Sequence, residues 1–467
     1  MAKQKIEYVC ENCGFESLKW IGKCPSCGEW NTFREFRTGA DAVRDMTHGL
    51  FHSASGRGIM GGSKPVPLRD IPSQDNRRID TLDGELNRVL GGGLVPGSLT
   101  LIGGHPGIGK STLLLQTILN LKTMKTLYVS GEESALQLRM RAERLSPDFA
   151  SGQGAQVDVL CETALQKILD VADSSTPDLV VIDSIQAIAS DCIESGPGSV
   201  SQIRECAASL LRYAKVSGKP VIIVGHINKE GTIAGPKILE HIVDTVIQFE
   251  GDQNNMYRVL RSIKNRFGST SELGIYEMRQ DGLRQVENPS ELLLTQYSDG
   301  LSGMARSSAV EGVRSFLVET QALVSHAAYG TPQRTANGFD QRRLNMLLAV
   351  MEKRVGIRLA QKDVFVNIAG GLRVTDLALD LSVIAAIMSS NVDMPVGSTW
   401  CMAGEVGLSG EVRPVGRIEQ RLGEAEKLGF TDIIVPRYNL QGIDTKRYGI
   451  NIHPAQKVEE ALRVLFA

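Results

Sequence analysis

Short apolar runs rich in β-branched residues alternate with stretches of helical periodicity through the middle of the chain, a pattern that predicts a parallel α/β sheet. The strand runs are Leu99–Gly103, Thr126–Ser130, Leu179–Asp183 and Pro220–Gly225. Each is largely apolar, as a strand covered on both faces should be. After Met256 the pattern shortens to two extended runs, Tyr257–Arg261 and Ile275–Arg279, which read as an antiparallel extension of the sheet. A boundary falls near Asn288-Pro289-Ser290. Beyond it the pattern is again α/β, with helices expected near Arg342–Arg354 and Asp376–Ser389 and strands near Val364–Ile368 and Ile433–Val435.

Between Phe36 and Asp75 the periodicity disappears and Gly, Ser, Pro and Arg accumulate, as expected of a linker. The 467 residues are 42% hydrophobic and 22% charged, the balance of an ordinary globular chain long enough for two to four domains. No run approaches the roughly 18 apolar residues of a membrane span. The longest, Leu377 to Met388, is interrupted by Asp380, and the N-terminus lacks the apolar stretch of a secretory signal. A cytoplasmic protein without a membrane partner is expected. The net charge of −2 means that any affinity for nucleic acid must come from local clusters of Lys and Arg.

Four of the eight cysteines form two CxxC knuckles, Cys10-Glu-Asn-Cys13 and Cys24-Pro-Ser-Cys27, separated by a ten-residue spacer. Four thiolates at this spacing suit tetrahedral Zn²⁺, and Gly14 and Gly28 follow each pair where the backbone must turn tightly. Disulfides are the competing reading, disfavoured in a reducing compartment. A segment of about 30 residues buries too little apolar surface to fold alone, so the metal would supply most of its folding energy. With no open coordination position, the site would be structural.

Gly104, His105, Pro106, Gly107, Ile108, Gly109, Lys110, Ser111 and Thr112 match the P-loop pattern GxxxxGK[ST], with a strand leading in and a leucine-rich helix leading out. The glycines let backbone N–H groups wrap the phosphates of ATP, Lys110 on its exposed loop neutralises charge, and Ser111 can ligate Mg²⁺. Asp183, ending the run Leu179–Asp183, supplies the second carboxylate for the metal. Glu132 ends a run expected to lie beside the P-loop strand and is the candidate base for the attacking water; a solvated helix start is the alternative.

These motifs, together with Val129-Ser-Gly-Glu-Glu-Ser134, Asp183-Ser-Ile-Gln186 and Lys264-Asn-Arg-Phe-Gly268, resemble the bacterial RadA/Sms family over essentially the whole chain. The resemblance implies a zinc module at 1–36, a linker at 37–75, a RecA-like ATPase core at 76–287 and a Lon-protease-like α/β domain at 288–467. It further implies a DNA motor or branch-migration helicase acting on single-stranded and branched DNA in recombination and repair. A homo-oligomeric ring, a hexamer in the family, would do the work, with recombinases or replicative helicases as partners. In such rings Lys264 and Arg266 would reach the γ-phosphate of a neighbouring subunit. DNA-facing mobile loops would correspond to Ser195–Arg204 and Lys229–Lys237.

In the region resembling Lon, Ala378 falls where the nucleophilic Ser would stand and Arg421 where its Lys base would, so both catalytic groups are missing. The domain is expected to be a scaffold with a basic face formed by Arg334, Arg342 and Arg343. An ATP-dependent protease and a RecA-like switch that does not translocate are the competing functions.

Overall fold

The computed structural model describes residues 5–10, 16–17, 19–25, 28, 30–31, 33–38, 67, 78–151, 154–226, 236–251, 257–286, 288, 290, 293–294, 300–327, 330–371 and 373–466. Cys13, Cys27, nearly all of the expected linker and most of the loop Lys229–Lys237 lie outside them. Two compact units emerge, Met1–Glu250 with Leu260–Thr270 and Met278–Arg284, and Gly251–Val259 with Ser271–Glu277 and Gln285–Ala467.

At the N-terminus β1 (Lys5–Cys10) pairs antiparallel with both β2 (Glu16–Ser17) and β3 (Phe33–Thr38). Cys10 and Cys24 are buried against Phe33 in a cluster too small to hold a fold by burial alone. Gly28 turns at φ +77°, donating its N–H to Cys24 O at 2.9 Å, a conformation that favours glycine.

In the core, a helix Gly84–Leu90 (α1) starts at Asp83, whose carboxylate accepts from Glu85 N and Leu86 N. The sheet then runs β4 (Leu99–Gly104), β5 (Lys125–Ser130), β6 (Gln156–Cys161), β7 (Leu179–Asp183), β8 (Val221–His226) and β9 (Thr245–Glu250). All six are parallel in the order β9-β4-β8-β7-β5-β6, and β10 (Tyr257–Asn265), β11 (Leu273–Arg279) and β12 (Gly282–Gln285) continue the sheet beyond β9. Helices α2 (Lys110–Asn120), α3 (Ala135–Leu145), α4 (Leu165–Ser175), α5 (Val200–Ser217) and α6 (Pro236–Ile242) connect the strands. The strands the sequence predicts coincide with β4, β5, β7 and β8 to within a residue at either end. Sheet order differs from expectation. β5 is separated from the P-loop strand β4 by β8 and β7, because a hydrophobic pattern marks strands without saying which one pairs with which.

The second unit carries a seven-stranded sheet of β13 (Met304–Glu311), β14 (Arg314–His326), β15 (Arg334–Asn337), β16 (Lys362–Ile368), β17 (Trp400–Met402), β20 (Asp432–Pro436) and β21 (Asn451–Ala455), ordered β15-β16-β14-β13-β17-β20-β21. Two-residue strands β18 (Glu405–Val406) and β19 (Val412–Arg413) form a separate hairpin. Helices α7 (Gln341–Val350), α8 (Asp380–Val392), α9 (Ile418–Lys427) and α10 (Val458–Phe466) complete it. Most of the apolar run at 377–388 belongs to the core helix α8, preceded by a 3-10 turn at Leu377–Leu379; Asp380 at the start of the helix is fully buried and paired with Arg343. No helix among the described residues is long and apolar enough to cross a membrane.

Candidate nucleotide site

The loop between β4 and α2 holds the P-loop residues. Gly107 and Gly109 take φ +76° and +114°, and a Cβ on Gly109 would come within 2.7 Å of Met278 Cε. The backbone conformation there favours glycine, and a Cβ would also require the flexible end of Met278 to shift. Ile108 is buried and anchors the loop, while Pro106 and Gly107 face outward.

Lys110 corrects one expectation: only 4% of it is exposed. Its Nζ donates to Gly104 O at 2.8 Å and to His105 O at 2.9 Å, and lies 3.3 Å from His226 Nδ1. Burial pulls its pKa down to about 8, against the opposing charges of Asp183 and Glu132. The amine is therefore held by acceptors that a phosphate oxygen can replace with a better charge match.

Asp183, at the end of β7, accepts from the Tyr128 hydroxyl at 2.6 Å, and its peptide bond to Ser184 is cis. Burial first, then Asp183, raises the Tyr128 phenol well above its ordinary value and keeps it a donor. Glu132 reaches the same space from the more distant β5. Its Oε1 accepts from the Ser184 hydroxyl and lies 3.4 Å from His226 Nε2, and the side chain is 51% exposed. The neighbouring Glu133 is turned away into a 2.6 Å ion pair with Arg141. Lys110, Glu132 and Asp183 thus converge, and Ser111 sits partly buried at the first turn of α2.

Sequence reasoning missed Ser184, Tyr128 and His226. A signal was present for His226. Like Asp183, it is a polar residue closing a buried strand of a parallel sheet, the end at which ligands of such sheets bind.

Lys264 and Arg266 are engaged within their own chain. Lys264 Nζ donates to Glu240 O and, at 2.8 Å, to Val243 O, around the C-terminal end of α6. Burial, then Arg266, lowers its pKa. Asn265 caps α1 in the same manner, donating to Leu90 O at 3.1 Å. Arg266 bonds Asp244 Oδ1 at 3.2 Å but keeps 52% of its side chain exposed. Asp244, 2% exposed, also takes Lys215 at 3.0 Å and the Leu99 N–H at 3.1 Å.

The segment expected as a first mobile loop is built more firmly than its composition suggested. Gln202 is buried, and its amide nitrogen donates to the carbonyls of Ser190, Ile193 and Ser195. Residues 200–204 already belong to α5, so Arg204 projects from a helix.

In the second unit Ala378 is fully buried, and Arg421, 3% exposed, forms a 2.7 Å ion pair with Asp376 and donates to Ser308 O and Gly416 O. Arg343 is not part of an open basic face. It pairs with buried Asp380 and donates to Val406 O at 3.0 Å, because Asp380 inside an apolar helix requires a partner.

Three family models match the chain: a rubredoxin metal binding domain over residues 8–35, an AAA domain over 64–232, and subunit ChlI of Mg-chelatase over 322–439, inside the region expected to be Lon-like. The DNA repair protein RadA of Bacillus subtilis is 48% identical over 466 residues, covering 99% of both chains. That of Halalkalibacterium halodurans is 47% identical with the same coverage, and that of Streptococcus pyogenes serotype M6 is 44% identical over the full length of both. The chain belongs to the RadA family of DNA repair proteins. Membership covers every part of the RadA architecture, from the metal-binding ribbon through the AAA core to the C-terminal domain. Of the four RadA ribbon cysteines, the described Cys10 and Cys24 are brought together.

Proposed function

We propose that this protein is an ATP-driven motor that binds single-stranded DNA and processes branched intermediates of recombination and repair. The observation that carries the reading is the convergence of Lys110, Glu132 and Asp183 from three different elements onto one space beside the P-loop. Lys110 would exchange the carbonyls of Gly104 and His105 for phosphate oxygens. Glu132, half exposed, would orient and deprotonate the attacking water. Ser111, at the start of α2, and Asp183 are oxygen donors that suit Mg²⁺, and the ion when bound would neutralise phosphate charge.

Cys10, Cys13, Cys24 and Cys27 would hold Zn²⁺, which when bound supplies the folding energy that the small ribbon cluster lacks. The segments Ser195–Arg204 and Lys229–Lys237 would meet DNA, and copies of the chain would assemble head to tail into a ring. The C-terminal domain would serve that assembly without peptidase activity, since Arg421 cannot act as a base while held by Asp376.

The deciding experiment is ATP turnover with and without single-stranded DNA, over a series of salt concentrations. We expect DNA to stimulate hydrolysis, and the logarithm of DNA affinity to fall linearly with the logarithm of salt. Arg204→Ala should flatten that slope by about one unit if it neutralises one phosphate. Turnover indifferent to DNA at every salt concentration would favour the switch reading.

A further inference from the structure

His226 ends β8, the strand lying between the P-loop strand and the Asp183 strand. Its two ring nitrogens face two different parts of the site, Lys110 Nζ at 3.3 Å from Nδ1 and Glu132 Oε1 at 3.4 Å from Nε2. An ammonium has only protons to offer, so Nδ1 must accept. The proton of a neutral imidazole then sits on Nε2, facing a carboxylate oxygen that can only accept. The partners fix the tautomer.

The two oxygens of Glu132 are not equivalent. Oε1 receives both the Ser184 hydroxyl and the His226 imidazole, whereas no bond to Oε2 is made among the described residues. One oxygen is an anchor and the other is left to act. A histidine that merely fills space would not be aimed by both nitrogens at the P-loop lysine and at the base.

We propose that His226 is a positioning residue for hydrolysis: with Ser184 it pins Oε1 of Glu132 so that Oε2 meets the attacking water, and its bond to Lys110 ties that placement to the P-loop. This inference rests on Glu132 being the base. Without His226 the carboxylate keeps a single anchor and turns about its terminal bonds, so turnover suffers. Nucleotide binding does not, because the P-loop backbone and Lys110 remain.

Two substitutions separate the two ends of the ring. A glutamine amide reaches the position of Nε2 and can donate to Glu132, whereas an asparagine amide ends near Nδ1 and reaches only toward Lys110. Steady-state ATPase assays on the full-length protein, with titration of a fluorescent ATP analogue, give kcat, KM and affinity. His226→Ala should lower kcat by about 10- to 100-fold, a large share of what a placed base contributes, with KM and affinity within about threefold. His226→Gln should recover most of the rate and His226→Asn little. Should His226→Ala fail to fold, the Gln and Asn variants, both close to His in size, carry the comparison alone.

Unchanged kcat in His226→Ala, or recovery by Asn as good as by Gln, overturns the proposal. Glu132→Gln is measured alongside and should be nearly inactive. If it turns over normally, the base assignment has failed and the positioning role falls with it. A dead Glu132→Gln beside a normal His226→Ala removes the His226 role alone.

Discussion

Two buried cations stand at places where chemistry is expected, and they are held in opposite ways. Lys110 is bonded to two backbone carbonyls and a neutral imidazole, all weak partners for an ammonium, beside a loop whose tip is exposed. Arg421 is bonded to a carboxylate at 2.7 Å and to two backbone carbonyls, and is closed from solvent. The first cation can trade its partners for a stronger anion. The second already has one, and breaking that pair would leave a buried charge uncompensated. Burial alone does not mark a working site; what matters is whether the partner is weaker than the ligand to come.

The sharpest way to break this comparison is to remove each cation. Lys110→Ala should reduce ATP turnover to background, a loss on the order of 10³-fold, as when a preorganised charge donor is deleted from a transition state. Thermal melting should barely move, although Lys110 is buried. Its depressed pKa shows that the fold disfavours its charge, and relief of that cost offsets the two carbonyls left without a donor. A large drop in melting temperature would mean that Lys110 is structural and that the contrast with Arg421 is false.

Arg421→Met should do the reverse. Asp376 would be left largely buried without its partner, a cost of about 3–5 kcal/mol. Melting should shift down markedly, while ATP turnover measured well below the transition changes by less than about twofold if the nucleotide site works independently. Ala378→Ser should produce no cleavage of a fluorogenic peptide or of casein, because Arg421 still blocks the position of the base. Peptide cleavage in that variant would overturn the scaffold reading.

Most of this contrast was legible in the sequence only as residue types. β4, β5, β7 and β8 could be read because strands covered on both faces are apolar throughout. β6 escaped because it lies at the sheet edge, where four of its six residues are exposed and Asp158 interrupts the run. The hairpin β13–β14 escaped for a different reason: Ser307 and Ser308 are entirely buried, satisfied by the carbonyls of Met402 and Arg421, so a core strand carries a polar signature. The P-loop, Asp183 and Glu132 could be named from spacing, whereas His226 beside Lys110 and Asp376 beside Arg421 are brought in by the fold from more than 40 positions away. No local pattern encodes that.

The smallest expected change in stability belongs to a pair of cations that falls between the two extremes. Lys264 is partly buried, with its ammonium on the carbonyls of Glu240 and Val243, while Arg266 shares buried Asp244 with Lys215 and remains half exposed. Lys264→Met should therefore act mainly on stability, by roughly 0.3–1 kcal/mol for a cation at a helix C-terminus. Arg266 is the one whose guanidinium has surface from which to reach a neighbour, so the proposed action in trans narrows to it. Subunits carrying Lys110→Ala and subunits carrying Arg266→Ala should each be inactive, yet a mixed ring would contain interfaces with an intact P-loop on one side and an intact Arg266 on the other. Random exchange makes about a quarter of the sites whole, since each face is intact in half of the subunits. Turnover of mixed, co-assembled protein well above both parents would place Arg266 among the replaceable partners, with Lys110. If co-assembly is demonstrated and no turnover returns, Arg266 belongs with Arg421 as a cation whose work is finished once its carboxylate is satisfied.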